Sequence, residues 1–208
     1  MEFCIIGTII LVIALVIIKR IMMNKILEAI GSQDWQKALK YLSSGFARMS
    51  MQGVMRDNME LSIRMAQNDK KEIRAVLLRM EQTKMKPQYR IAYLQRAFAW
   101  YLSEKDGAGC RRCIHEMIDE RIAHSMQIEY DVLIKKNPAH IEEIEQKILT
   151  ITEGVEDLEP QQAAALGSLE YLLGVQYELK QDVKTSEKYY QAAKDHGFLN
   201  EAMEPATL

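Results

Sequence analysis

Sixteen consecutive uncharged residues, Phe3 to Ile18, constrain this chain more than any other stretch. They read FCIIGTIILVIALVII, with only Gly7, Thr8 and Ala14 diluting the large apolar side chains. Lys19 and Arg20 come next, then Ile21-Met22-Met23. A helix rises about 1.5 Å per residue, so roughly 20 residues cross the hydrocarbon core of a bilayer. Phe3 to Met23 reaches that length if Lys19 and Arg20 extend their stems toward the headgroups. A cleaved secretory signal fits poorly, because only Glu2 is charged ahead of the run and no small-x-small site comes after it. A core helix would be uncommonly apolar on every face. The stretch predicts a retained transmembrane anchor over 1–23, then a helical domain over 24–199 and a disordered tail over 200–208.

The chain has 208 residues, and the part beyond the anchor fits one domain. Four prolines and ten glycines are few, which suits a mostly helical protein and argues against a β-sandwich or a disordered chain. Charge is segregated: Met1 to Arg112 holds 19 Lys/Arg against 10 Asp/Glu, and Cys113 to Leu208 holds 8 against 19. A basic membrane-proximal half suits an anionic lipid surface, and an acidic distal half is repelled from it. Lys19, Arg20, Lys25 and Lys37 lie just past the apolar run, so the charge rule places Met1 outside and the helical domain in the cytoplasm. Three cysteines are too few for a disulfide framework, which fits a reducing compartment.

An Asp or Asn opens each of five helix-like runs: Asp34, Asp69, Asp106, Asn137 and Asp182. Their short side-chain oxygens suit the N-cap, where free backbone N–H groups need acceptors. Pro138 after Asn137 suits the first helical position. The spacings are 35, 37, 31 and 45 residues, near the period of helix-turn-helix repeats. Four residues past the caps stand Ala38, Ile73, Cys110, Ile141 and Ser186, and seven past stand Tyr41, Val76, Cys113, Ile144 and Tyr189. These steps trace one helix face, predicted to pack inward; Glu145, eight past Asn137, is a misfit on it. The acidic stretch 153–160 reads as a long loop, with shorter loops at 43–53 and 83–88.

The last run is the most distinctive: Leu173-Gly174-Val175-Gln176-Tyr177, then Asp182, Ser186, Tyr190 and Ala193. It resembles the tetratricopeptide repeat family, whose signature is Leu-Gly-x-x-Tyr in a first helix, then a small residue, an aromatic and an alanine in a second. Glu170 stands where the family usually has Trp, and Phe198 where it has Pro. The third unit has Tyr101 in the place of Tyr177 but Phe98 in that of Gly174. The first has a good second helix, Asp34 to Leu39, and the second and fourth keep only helical periodicity. The resemblance covers most of 21–198. It implies an all-α solenoid of about five helix pairs, with Gly174 letting helices approach and Tyr177 and Tyr190 filling the gap. It also implies a concave groove for a protein or peptide, lined by first helices. In this sequence those positions are Asn58, Ser62, Gln95, Ala99, Met126, Tyr130, Tyr171, Val175 and Glu178.

No catalytic motif stands up. Cys110-Arg111-Arg112-Cys113 has no β pattern around it for a redox site and no second ligand pair for zinc. Both cysteines fall on the predicted packing face. His115, His124, His140 and His196 are scattered surface residues on this reading. Gly107-Ala108-Gly109 lacks the lysine and the strand of a phosphate loop. The overall acidic balance argues against nucleic acid as the partner of Lys70, Lys71, Arg74 and Arg79. The expectation is therefore a membrane-anchored adaptor or scaffold that binds a protein, with no enzymatic activity, cofactor, metal or small-molecule substrate. The alternative is an assembly subunit of a membrane complex that associates through the anchor.

Overall fold

The computed structural model describes the backbone of residues 2–155 and 157–198, and the side chains of 16–155 and 157–198. The tail expected at 200–208 lies outside the described residues. Among those residues the fold is all-α, with eleven helices and no strand. They are α1 (Glu2–Gly31), α2 (Trp35–Ser43), α3 (Gly45–Ser50), α4 (Gly53–Ala66), α5 (Lys70–Glu81), α6 (Pro87–Ser103), α7 (Gly107–Glu116), α8 (Glu120–Leu133), α9 (Ile141–Thr152), α10 (Pro160–Leu179) and α11 (Val183–Asp195). The chain divides into two compact units, Met1–Tyr93 and Leu94–Leu208.

Four connections share one backbone form. Gln33, Asn68, Lys105 and Gln181 are left-handed, with φ of 57°, 53°, 55° and 64°. Each comes after a helix end and precedes a cap Asp. The Gln33 N–H donates to the Ile30 carbonyl at 2.9 Å and the Asp34 N–H to the Ala29 carbonyl at 2.8 Å. The other three turns repeat this pairing three and five residues back. It is the Schellman motif, which satisfies the last carbonyls of one helix. Here its final residue is also the N-cap of the next helix: the side chains of Asp34, Asp69, Asp106 and Asp182 accept from the first-turn N–H groups of α2, α5, α7 and α11. One aspartate thus closes one helix and opens another.

The fourth expected cap is corrected. Lys136 is left-handed at φ 57°, but the Asn137 N–H reaches back six residues, to the Asp131 carbonyl at 2.9 Å. The extra residue delays the next helix to Ile141, capped by His140 without a side-chain bond, so Pro138 lies outside it. The His140 N–H donates instead to Gln176 Oε1 at 2.8 Å, and its ring contacts Asp131 Oδ2 at 3.3 Å. The loop expected at 43–53 is corrected as well, since it contains α3. Ser44 caps this helix by accepting from the Ala47 N–H, and Ala47 is buried in the core of the first unit.

The membrane span expected at 3–23 is corrected too. Among the described residues no helix is long and apolar enough to cross a membrane. The single-pass topology, with Met1 outside and the domain in the cytoplasm, loses its basis with it. Residues 1–15, which hold most of the apolar run, have no described side chains. Beyond them α1 serves a core: it runs past Met23 to Gly31, and Met22, Ile26 and Ala29 are buried with Ala38, Leu42 and Ala47. α1 is therefore the first helix of the first pair.

The predicted packing face is the buried one. Ala38, Ile73, Cys110, Ile141 and Ser186 are all buried, as are Val76, Cys113 and Ile144 three residues on. In the second unit Ile128, Val132, Ile141, Ile144, Leu172, Leu173 and Val175 form one core. An ideal Cβ at Gly174 would stand 2.6 Å from the Tyr190 ring, and Ser186 Oγ donates to the Gly174 carbonyl at 2.8 Å. Between α6 and α7 the small residue changes sides: Gly109 of the second helix faces the Tyr101 ring of the first, leaving no room for a Cβ. Glu145 escapes its misfit by accepting from the hydroxyls of Tyr177 at 2.9 Å and Tyr189 at 3.3 Å. Glu170, in the place of the family's Trp, is buried against His196 Nδ1 at 2.7 Å.

Candidate functional site

Among the described residues, a cavity opens in each unit. In the first, a cavity of about 910 Å³ is walled by α2, α3, α4 and α5. Leu39 and Leu42 of α2 give it an apolar side, while Lys40, Arg48, Arg56, Arg64 and Arg79 make it basic. Asp57 and Glu60 also line it, but Arg79 occupies both, with its Nε 3.1 Å from Asp57 Oδ1 and its Nη2 2.6 Å from Glu60 Oε2. Arg64 lies 3.5 Å from Asp69, 3.7 Å from Glu72 and 4.0 Å from Glu60. Among the described residues Lys40, Arg48 and Arg56 have no carboxylate partner, and Arg56 Nε is buried without a hydrogen bond.

The helix ends sharpen this contrast. A helix carries partial positive charge at its N-terminus and negative at its C-terminus, so cations suit the last turn. Lys40 and Arg48 occupy the last turns of α2 and α3. Arg56 occupies the start of α4, where no acidic residue is present and Gln52 makes no side-chain cap bond. Its charge stands at the wrong end of its helix.

The second unit has a smaller, mostly apolar cavity of about 440 Å³ between α8, α9 and α10. Ile128, Ile151, Leu169 and Leu172 line it, together with Glu129 and Lys147. Burial pushes the Glu129 carboxyl above its ordinary value. Lys147 turns to Glu143 at 2.9 Å, and Glu143 also meets His124 Nε2 at 2.7 Å. Burial opposes the charge on Glu143, yet these bonds outweigh it and hold its carboxyl low.

None of the nine groove positions lines either cavity. Met126, Tyr130 and Val175 are buried. Gly107 packs on Tyr130, whose hydroxyl accepts from Arg111 at 2.6 Å. Asn58 and Tyr171 are half-buried, and Ser62, Gln95, Ala99 and Glu178 are exposed. Ser62 and Asn58 donate to carbonyls of their own helix. Glu178 accepts from Tyr190 Oη at 2.6 Å. Cys110 and Cys113 are buried and outside any disulfide, and burial followed by the Asp106 charge pushes the Cys110 thiol up to about 11. His115 and His124 are exposed as expected, but His140 and His196 are half-buried against Asp131 and Glu170. The one sequence sign of the basic cavity was the charge segregation itself; its Arg and Lys residues are scattered along the chain.

No family model, no curated protein and no solved structure matches this chain.

Proposed function

We propose that this chain is a helical-repeat scaffold of the tetratricopeptide type. About five helix pairs stack as an α-solenoid that holds a protein or peptide partner and turns over no substrate. The observation that carries this reading is the recurrence of one turn, a left-handed residue and then a capping Asp, at four places in the chain. Helix-turn-helix arrays are built by repeating one such unit, and their long exposed faces serve binding. The buried, protonated Cys110 thiol fits a packing role and not a nucleophile. Assembly through a membrane segment has no basis once the span is corrected.

The partner face on this reading consists of the first helices, at exposed Gln95, Ala99 and Glu178. Photo-crosslinking residues placed there in cells should yield one discrete adduct. The same probe at Lys71 and Glu187, exposed on the second helices α5 and α11, should yield little. Adducts at Lys71 and Glu187 alone would overturn the assignment of the face.

A further inference from the structure

Arg56 puts a cation in the first turn of a helix whose start has no side-chain cap and no acidic residue. The first four N–H groups of a helix lack intrahelical acceptors, and that end favours an anion. In α4 the Met55 and Arg56 N–H groups both reach the Gln52 carbonyl at 3.1 Å. Gln52 offers no side chain to Gly53 or Val54. The aspartate caps elsewhere show how such a start is normally completed, with a carboxylate accepting from the first turn. In α4 the first turn instead carries Arg56, whose buried Nε makes no hydrogen bond and which lines a cavity of about 910 Å³. An anion entering the cavity would complete both the helix start and the guanidinium.

We infer that the basic cavity of the first unit captures an acidic segment of a protein partner, one carboxylate of which caps α4 and pairs with Arg56. The inference rests on the protein-binding reading and names the chemistry of the partner. Lys40, Arg48 and Arg56 come from three different helices and each lacks a carboxylate, so the cavity suits single charges spaced along a chain. Leu39 and Leu42 give the backbone of the segment an apolar wall. The unit as a whole has the matching sign, with 15 Lys/Arg against 8 Asp/Glu over 1–93. Arg79 keeps Asp57 and Glu60 from repelling the segment, because it already holds both.

The test uses the full chain and a dye-labelled peptide of about twelve residues with spaced glutamates, read by fluorescence anisotropy, against its glutamine counterpart. Hydrogen bonds to charged groups are strong enough that the acidic peptide should bind at least about tenfold tighter, and Arg56→Gln should lose about tenfold. Lys40→Gln, an exposed change that leaves packing untouched, should lose about two- to threefold, and Lys184→Gln in α11 nothing. Amide exchange at Gly53 and Val54 should slow when the peptide binds, a local sign that α4 is capped from outside. Equal binding of the two peptides overturns the proposal, as does an Arg56→Gln variant with intact helicity and full affinity. If Arg56→Gln loses helicity, Lys40→Gln decides in its stead. Displacement by inorganic phosphate alone at equal charge would make this a phosphate site and overturn the peptide assignment. Tighter binding of a peptide copied from residues 153–160 would make a second copy of the chain the occupant. Failure here with crosslinking intact at Gln95, Ala99 and Glu178 sinks only this site; loss of that crosslinking sinks the scaffold reading.

Discussion

Gly174→Ala tests the packing of the last helix pair directly. An ideal Cβ there would stand 2.6 Å from Tyr190 Cδ1 and Cε1 and 3.1 Å from Cγ. Carbon atoms in contact sit about 3.5–4.0 Å apart, so the ring must retreat by about 1 Å. It is not free to do so. Its hydroxyl donates to Glu178 at 2.6 Å, its face lies 5.7 Å from the Tyr171 ring, and Ser186 of the same helix is bonded to the Gly174 carbonyl. Alanine in a helix interior gains about 0.8–1.0 kcal/mol over glycine. Overpacking a fitted contact costs about 1–3 kcal/mol. The overlap is deep and lies on a ring, so the upper half of that range applies, and the net loss should be about 1–2 kcal/mol. For a chain of this size that lowers Tm by about 2–8 °C. Urea and thermal unfolding by circular dichroism would measure it. The decisive comparison is the same substitution in a Tyr190→Ala background. With the ring gone only the helix term is left, and alanine at 174 should stabilise by up to about 1 kcal/mol. A loss of the same size in both backgrounds would refute the argument.

Asp69→Ala and Asp106→Ala should each cost about 1 kcal/mol in urea unfolding, because each removes an N-cap acceptor. Asn137→Ala should cost clearly less, since Asn137 does not cap α9, and an equal loss would restore it as a cap. Burial alone would raise the Asp131 carboxyl, but hydrogen bonds from Lys135, Gln127 and His140 outweigh it and hold it below its ordinary value. A carboxyl lowered by folding contributes stability above its unfolded value of about 3.9, and that contribution is lost as pH falls through the lower folded value. Asp131→Asn should therefore be less stable near neutrality and show a shallower acid decline; an unchanged slope below about pH 4 counts against this. Cys110 should alkylate at least about a hundredfold more slowly in the native protein than in denaturant at pH 8, resolved by mass spectrometry, and prompt native labelling would show the site to be open.

Several features were legible from the chain because they act over a few residues. A cap needs only an Asp and an N–H group two or three positions on, so Asp34, Asp69, Asp106 and Asp182 could be read directly. Helical periodicity placed Ala38, Ile73, Cys110, Val76 and Ile144 on the buried face, and with it assigned both cysteines of the tempting Cys-x-x-Cys pair to packing. The partnership of Gly174 with Tyr190 was implied by the resemblance of the last pair to the tetratricopeptide repeat, and it lies within one turn-linked pair. The left-handed backbone at Gln33, Lys105 and Gln181 left no mark in the sequence, because these side chains carry no sign of positive φ, unlike a glycine at the same place.

The rest depended on which surfaces the folded chain brings together. The start of α9 is set by Gln176, 36 residues away, and no window around Asn137 contains it. Helix spacing put Met126, Tyr130 and Val175 on a groove face, but neighbouring helices cover them, and cover is a property of packing and not of period. Apolar content, length and flanking charge made residues 3–23 a membrane span, whereas packing decides the described end of α1: Val16, Ile17 and Ile21 are exposed, and Met22, Ile26 and Ala29 are buried in the core of the first unit. The basic cavity is the extreme case. Arg79 meets Asp57 and Glu60 across 22 and 19 residues, which leaves Arg56 alone at the start of α4. In sequence these are ordinary surface charges. Coulomb energy falls with distance through space, and only the tertiary fold decides which of them are neighbours.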